Sequence, residues 1–372
     1  MKKVAIIQRT LVQYRREFFE GLKNALAEEG VELTLIYGKQ NNDEGLKNDA
    51  VELAWSKYIP NKTLKFGNSS LVWQPCLNEL KDKDLIVVES ANKLILNYLL
   101  MIKRRFSNTK LGFWGHGRNK QDTLNSFANQ FKYLFLKQCD WWFAYTSGVK
   151  DFLIEKGYPQ ARITNVQNAI DTQFIQQEYA QTTDLETTAL KKELGIEGDQ
   201  VGIFCGGIYP EKRIDFLLES CLRVKQEVPD FHMIFIGSGI DATKITQAAA
   251  QHPWIHYVGP KFGKDRVKYF KISALFLMPG LVGLGILDAF ALETPIVTTR
   301  YEFHSPEIEY LEDGKNGLIV DNTIADYSKA VVQLLLSAQY KQMLDHCRYS
   351  AEKYTIENMV ENFKIGILKA MQ

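Results

Sequence analysis

The sequence predicts an α/β protein built on parallel sheets and divided into two domains. Short β-branched runs alternate with helical stretches along the chain, the pattern of repeated strand–helix–strand units. At 372 residues, 45% of them hydrophobic, the chain is long enough for two cores of ordinary size. A polar, charged stretch from Gln176 to Asp199 interrupts the alternation and reads as an interdomain linker. The expected boundaries are 1–175 for the first domain and 195–354 for the second.

Charge and cysteine usage narrow the class. Residues 1–168 hold 25 basic and 17 acidic side chains, and the remainder holds 20 and 27, so the first half is the basic one. Five scattered cysteines, Cys76, Cys139, Cys205, Cys221 and Cys347, have no paired spacing, which argues against a disulfide framework or a zinc site and fits a reducing compartment. No apolar run approaches the 18 or so residues of a membrane span, and Met-Lys-Lys runs straight into a strand, so a cytoplasmic protein is expected. No recognition motif for nucleic acid accompanies the basic residues.

In order, Val4 to Ile7 is a buried-strand run and Glu17 to Leu26 has helical spacing. The loop between them, Gln8 to Arg16, lacks the glycine fingerprint of a dinucleotide site. Val31–Tyr37 and Asp84–Val88 are further strands, with a helix near Ile95–Ile102. Lys103, Arg104, Arg105, Lys110, Lys120, Lys132 and Lys137 gather near an aromatic helical stretch, Phe127 to Leu136. Such a surface suits an anionic membrane face, or is simply a solvated face over an aromatic core. Lys110–Phe113 ends a strand, and Gly115-His116-Gly117-Arg118 follows on a loop, where binding residues concentrate. Ala144–Thr146 closes the next strand, Gly148–Gly157 is helical, and Asn168 and Asp171 are turn formers after another strand.

The second half repeats the alternation. Val201–Cys205 is followed by Gly206-Gly207-Ile208-Tyr209-Pro210-Glu211-Lys212-Arg213 and a helix to Val228. His232–Gly237, with Ser238-Gly239 after it, and His256–Gly259 are the next strands and loops. Ala274–Met278 leads through Pro279-Gly280 and the bend Gly283-Leu284-Gly285 into a helix and then the strand Ile296–Thr299. Glycines let a backbone approach a ligand, and a following helix start favours negative charge, so this bend is a candidate anion seat. Asp288, one turn into the helix, either meets a ligand hydroxyl or complements the helix dipole. Thr355 to Met371 is an amphipathic terminal helix.

These motifs resemble glycosyltransferase family 4. Asp288-Ala-Phe-Ala-Leu-Glu-Thr-Pro295 is similar to the donor-site run that follows the second of the family's two glutamates, with Gly280 where the first would stand. Gly206 to Arg213 is similar to the family's Gly-Arg-x-x-x-x-Lys-Gly, with Gly207 for the arginine and Arg213 for the glycine. Phe303–Ile308 and Asp313–Val320 match the family's later run, and Gly115-His116-Gly117 its histidine loop.

The resemblance implies a GT-B fold, two doubly wound Rossmann-like domains facing across a cleft, with the terminal helix over about 355–372 crossing back to the first. It implies a retaining, metal-independent transferase of cell-surface polysaccharide assembly that needs no cofactor beyond its UDP-, GDP- or dTDP-sugar substrate. The acceptor would be a glycan or lipid-linked glycan, with peripheral contact at the inner face of the membrane. His116, Lys212, Arg213 and Asp288 would be catalytic. Gly206, Gly207, Gly237, Gly259, Gly280, Val282, Gly283, Leu284, Gly285 and Asp288 would hold the donor, and Gln8, Arg9, Tyr14, Arg15 and Arg118 the acceptor. A nucleotide-sugar 2-epimerase of the same fold and a non-catalytic partner subunit are the alternatives.

Overall fold

Two parallel sheets organise the computed structural model, which describes residues 1–39, 51–67, 69–117 and 135–372. The chain divides into one unit of Met1–Asp171 with Ile356–Gln372, and a second of Thr172–Thr355.

In the first unit β1 (Lys2–Gln8) leads into α1 (Arg16–Glu28), β2 (Val31–Tyr37), β3 (Lys57–Tyr58) and a hairpin of β4 (Lys62–Phe66) with β5 (Ser69–Trp73). There follow β6 (Leu85–Glu89), α2 (Ile95–Lys103), β7 (Lys110–Gly115), β8 (Trp141–Ala144), α3 (Ser147–Glu155) and β9 (Ile163–Asn165). The seven strands outside the hairpin form one parallel sheet of order β3-β2-β1-β6-β7-β8-β9. Val4–Ile7 and Leu85–Val88 are buried throughout, because helices cover both faces of a parallel sheet and leave no polar alternation. The β4–β5 hairpin was not anticipated: its strands are short, and Lys62, Lys65 and Ser70 dilute the β signal. The aromatic helical stretch read at Phe127–Leu136 lies mostly outside the described residues.

The second unit opens with α4 (Gln173–Gln181) and α5 (Asp184–Glu193), which correct the linker expected over Gln176–Asp199. Thr183 caps α5: its hydroxyl accepts from the Glu186 N–H, and the Glu186 carboxylate accepts from the Thr183 N–H. This reciprocal box holds a helix whose polarity reflects exposure rather than disorder. Then come β10 (Val201–Cys205), α6 (Ile214–Glu227), β11 (His232–Ile236), α7 (Ala242–Gln251), β12 (Ile255–Tyr257) and α8 (Lys264–Lys271). β13 (Leu275–Leu277), α9 (Gly285–Ala291), β14 (Ile296–Thr299), β15 (Gly317–Val320), α10 (Ile324–Ser337) and α11 (Leu344–Lys353) complete it. Its six strands form a parallel sheet of order β12-β11-β10-β13-β14-β15.

The last helix, α12 (Ile356–Ala370), belongs to the first unit. Phe363, fully buried, stacks on Phe143 at 4.3 Å between centroids and meets Trp114 and Phe18 edge-on at 5.0 and 5.3 Å. Gly366 lets the helix lie close, since a β-carbon there would sit 2.8 Å from the Phe143 ring.

Candidate functional site

Each sheet has one place where consecutive connections run in opposite directions, and ligands of open α/β sheets bind at such crevices beyond the carboxyl ends of the strands. In the second unit this place lies between β10 and β13. The loops leaving these strands carry Lys212 and the glycine bend. Lys212, 7% exposed, sits in a short 3-10 turn after β10, and its ammonium donates to the Leu281 carbonyl at 2.5 Å. The Leu281 N–H returns a bond to the Glu211 carbonyl at 2.9 Å, so the two loops are laced together. Gly280 sits inside that lacing: a β-carbon there would meet the Glu211 carbonyl oxygen and lie 2.7 Å from the Lys212 carbonyl carbon. The position has no room for the glutamate of the family pattern.

The surrounding groups hold these loops. Val282 N–H donates to His304 Nδ1 at 3.0 Å, which leaves the ring proton on Nε2, facing the Thr299 carbonyl at 2.8 Å. Arg213, in the left-handed region at φ 57°, donates through Nη1 to the Pro279 carbonyl, Thr299 Oγ1 and Asn322 Oδ1, and lies 4.1 Å over the Phe216 ring. Asp288, 8% exposed, takes Arg266 Nη1 and Nη2 on its two oxygens, both at 2.7 Å. Gly237 is required by the loop packing, because a β-carbon there would fall on the Gly206 carbonyl oxygen. Burial pushes the neighbouring Cys205 thiol up to about 11, so it stays a thiol near neutrality.

In the first unit the corresponding crevice lies between β1 and β6. Gln8 ends β1 and is buried; the next residue, Arg9, donates its N–H to Glu89 Oε1 at 2.6 Å, across the end of β6. Burial raises the Glu89 carboxyl above the usual range, against the Arg9 N–H and the charges of Arg9, Lys93 and Arg15. His116, exposed just beyond β7, packs edge-on to Tyr145 at 4.6 Å. Arg15, 4% exposed, donates to Asn168 Oδ1 at 2.7 Å and lies 4.9 Å over the Trp114 ring. Among the described residues, no group of three or more His, Cys, Asp and Glu side chains could hold a metal ion, and no helix is long and apolar enough to cross a membrane.

Comparison with known proteins bears on this arrangement. Residues 18–174 match the model described as Glycosyltransferase Family 4, and residues 199–337 match the one described as Glycosyl transferases group 1. The protein is a glycosyltransferase. An uncharacterized glycosyltransferase of Haemophilus influenzae is 23% identical over 360 residues, covering 93% of both chains. The crystal structure of Anabaena HepE in complex with UDP superposes with a TM-score of 0.70 at 12% identity, over 99% of this chain and 100% of that one. The pneumococcal O-GlcNAc transferase GtfA in complex with UDP and GlcNAc gives 0.67 at 11%, over 100% and 99%. The fold is GT-B, two Rossmann-like domains, and the activity class is glycosyl transfer.

Within this glycosyltransferase, the structure brings Lys212, Gly280, Val282 and the Gly283–Gly285 bend to one crevice, and gathers Gln8, Arg9 and His116 at the carboxyl edge of the other sheet. Three of the expected site residues have partners within the protein. Arg213 donates to Pro279, Thr299 and Asn322 and so ties the chain after β13, β14 and β15. Asp288 has both oxygens engaged by Arg266. Arg15 is a buried tie between the β1 loop and Asn168. Tyr14 is half exposed beside it, and Arg118 lies outside the described residues. Glu89, Arg266 and His304 were missed. A carboxylate ending an otherwise apolar strand was the readable signal for Glu89; Arg266, 22 residues before Asp288, had none.

Proposed function

We propose that the protein transfers a sugar from a nucleotide-diphosphate sugar, held by the second unit, to a glycan or lipid-linked glycan acceptor bound at the carboxyl edge of the first. Retention of anomeric configuration and independence of metal are part of this reading, and UDP is the first candidate because the similar structures are described with UDP. Lys212 carries the proposal: a buried ammonium, laced to the glycine-bearing loop at the β10–β13 crevice. A diphosphate there would take the ammonium and loop N–H groups, which stabilise the departing charge. His116, exposed at the carboxyl edge of the first unit, would face the acceptor and the transferred sugar. An acceptor embedded in a membrane and a peripheral, cytoplasmic-face location complete the reading.

The test is calorimetric titration of UDP, GDP and dTDP. Losing one partner of a charged hydrogen bond costs about 2–5 kcal/mol, so Lys212→Ala is expected to weaken the preferred diphosphate at least tenfold in a variant that still unfolds cooperatively. Unchanged affinity in a folded variant would remove the clamp and the proposal's main support.

A further inference from the structure

One peptide group in the candidate site is held at both ends. The Leu281 carbonyl accepts the Lys212 ammonium at 2.5 Å, and the N–H of the same amide, that of Val282, donates to His304 Nδ1 at 3.0 Å. An imidazole nitrogen that accepts carries no proton, so the ring proton sits on Nε2, which donates to the Thr299 carbonyl at 2.8 Å. A continuous line of hydrogen bonds therefore runs from the end of β14 through one imidazole and one amide to the ammonium. Val282, His304 and Lys212 are all buried.

The charges give this line a direction. Hydrogen bonds in a chain polarise one another, so an amide that donates strongly at N–H accepts better at its oxygen. The ammonium polarises the amide toward His304, and the imidazole in turn makes the Leu281 carbonyl a stronger partner for the ammonium. Only the neutral ring protonated at Nε2 can serve, because an imidazolium would set one N–H against another at Val282. The far end is anchored. Thr299 ends β14 and its hydroxyl donates to the Pro279 carbonyl at 2.7 Å, while the Ser305 N–H donates to the Val282 carbonyl at 2.9 Å. His304 and Ser305 thus grip consecutive peptides of the loop that leads into the Gly283–Gly285 bend.

We propose that His304 is a positioning residue for the donor diphosphate: acting through the Leu281–Val282 amide, its neutral imidazole aims the Lys212 ammonium at the β10–β13 crevice. A lysine ammonium is a point charge on a flexible stem, so its direction is set by what it is bonded to. His304 acts through the backbone, which engages both of its ring nitrogens. The inference rests on the reading of Lys212 as the diphosphate clamp.

Calorimetric titration of whichever diphosphate the wild type prefers among UDP, GDP and dTDP tests it, together with exchange of the Val282 amide followed by NMR without nucleotide. His304→Leu fills a similar volume but leaves the Val282 N–H without its acceptor, and is expected to weaken the diphosphate by about fivefold or more. His304→Asn, whose Oδ1 can take the place of Nδ1, should recover most of that loss. In a Lys212→Ala background His304→Leu should cost nothing further, because it acts through the ammonium. Without nucleotide, His304→Leu and Lys212→Ala should each speed Val282 exchange by about tenfold or more, and His304→Asn by less. Unchanged affinity in a folded His304→Leu variant overturns the proposal, as do losses that add in the double variant. Val282 exchange that ignores position 304 overturns it whether or not a nucleotide binds. A wild type that binds none of the three diphosphates, yet whose Val282 exchange responds to both positions, removes the diphosphate reading and supports the coupling of His304 to Lys212.

Discussion

A buried carboxylate gripped at both oxygens by one guanidinium is costly to break and easy to replace. Asp288 and Arg266 meet this description, at 12 and 20% side-chain exposure with two 2.7 Å contacts. Removing one partner of such a pair leaves an uncompensated charge and costs about 3–5 kcal/mol, whereas replacing both by apolar groups of similar volume is close to neutral. Asp288→Leu and Arg266→Met are therefore each expected to destabilise the second unit by that amount, and the two combined to recover most of it. Urea unfolding of the two single variants and the double variant measures the coupling. Additive losses would show that the residues act separately, and Asp288 would again be open to the ligand role read from its sequence motif. Gly280 makes the converse point. The family pattern alone reads its glycine as a missing acid, but the backbone of Glu211 and Lys212 fills the space a side chain would need, so Gly280→Glu is expected to dislodge the Lys212 loop rather than tune sugar choice.

At the scale of elements, legibility followed burial. Strands β1, β6, β10 and β11 are covered on both faces and read as unbroken apolar runs, so they were found with nearly correct ends. Helices α4 and α5 read as a linker because most of their residues face solvent. The Thr183-x-x-Glu186 box that holds α5 was present in the sequence as a start signal. Glu89, ending β6, suits a further test. Burial raises its folded-state value, so the folded protein binds this proton more tightly than the unfolded chain does. The associated stability is fully present below the ordinary glutamate value and is lost as pH rises through the raised one. Glu89→Gln keeps an acceptor for the Arg9 N–H and removes that loss. The variant should therefore gain on the wild type as pH rises from about 4 toward neutrality, as followed by urea unfolding. A gap that closes instead would mean that Arg9, Lys93 and Arg15 together outweigh burial and hold the carboxylate ionised.

Across the whole molecule, the sequence divides its labour unevenly. The basic excess lies in the first half, while the second half carries the glycine loops and Lys212. The last helix returns to the first unit, so that unit's core is completed by residues that follow the whole second unit in sequence. The aromatic cluster of Phe143, Trp114, Phe18 and Phe363 joins β8, β7, α1 and α12, and Phe363 is its centre. Truncating a fully buried phenylalanine costs about 3–5 kcal/mol, transfer and cavity together. The second unit has its own buried set, including Phe204, Phe235 and Phe276. Phe363→Ala should lower the unfolding temperature of the first unit and leave nucleotide affinity in the second unchanged. Differential scanning calorimetry with and without UDP separates the two, because a ligand stabilises only the unit that binds it. The transition that UDP raises is assigned to the second unit, and the other is expected to move down in the variant. If the transition assigned to the first unit stays in place, the C-terminal helix is an appendage to that unit and not part of its core.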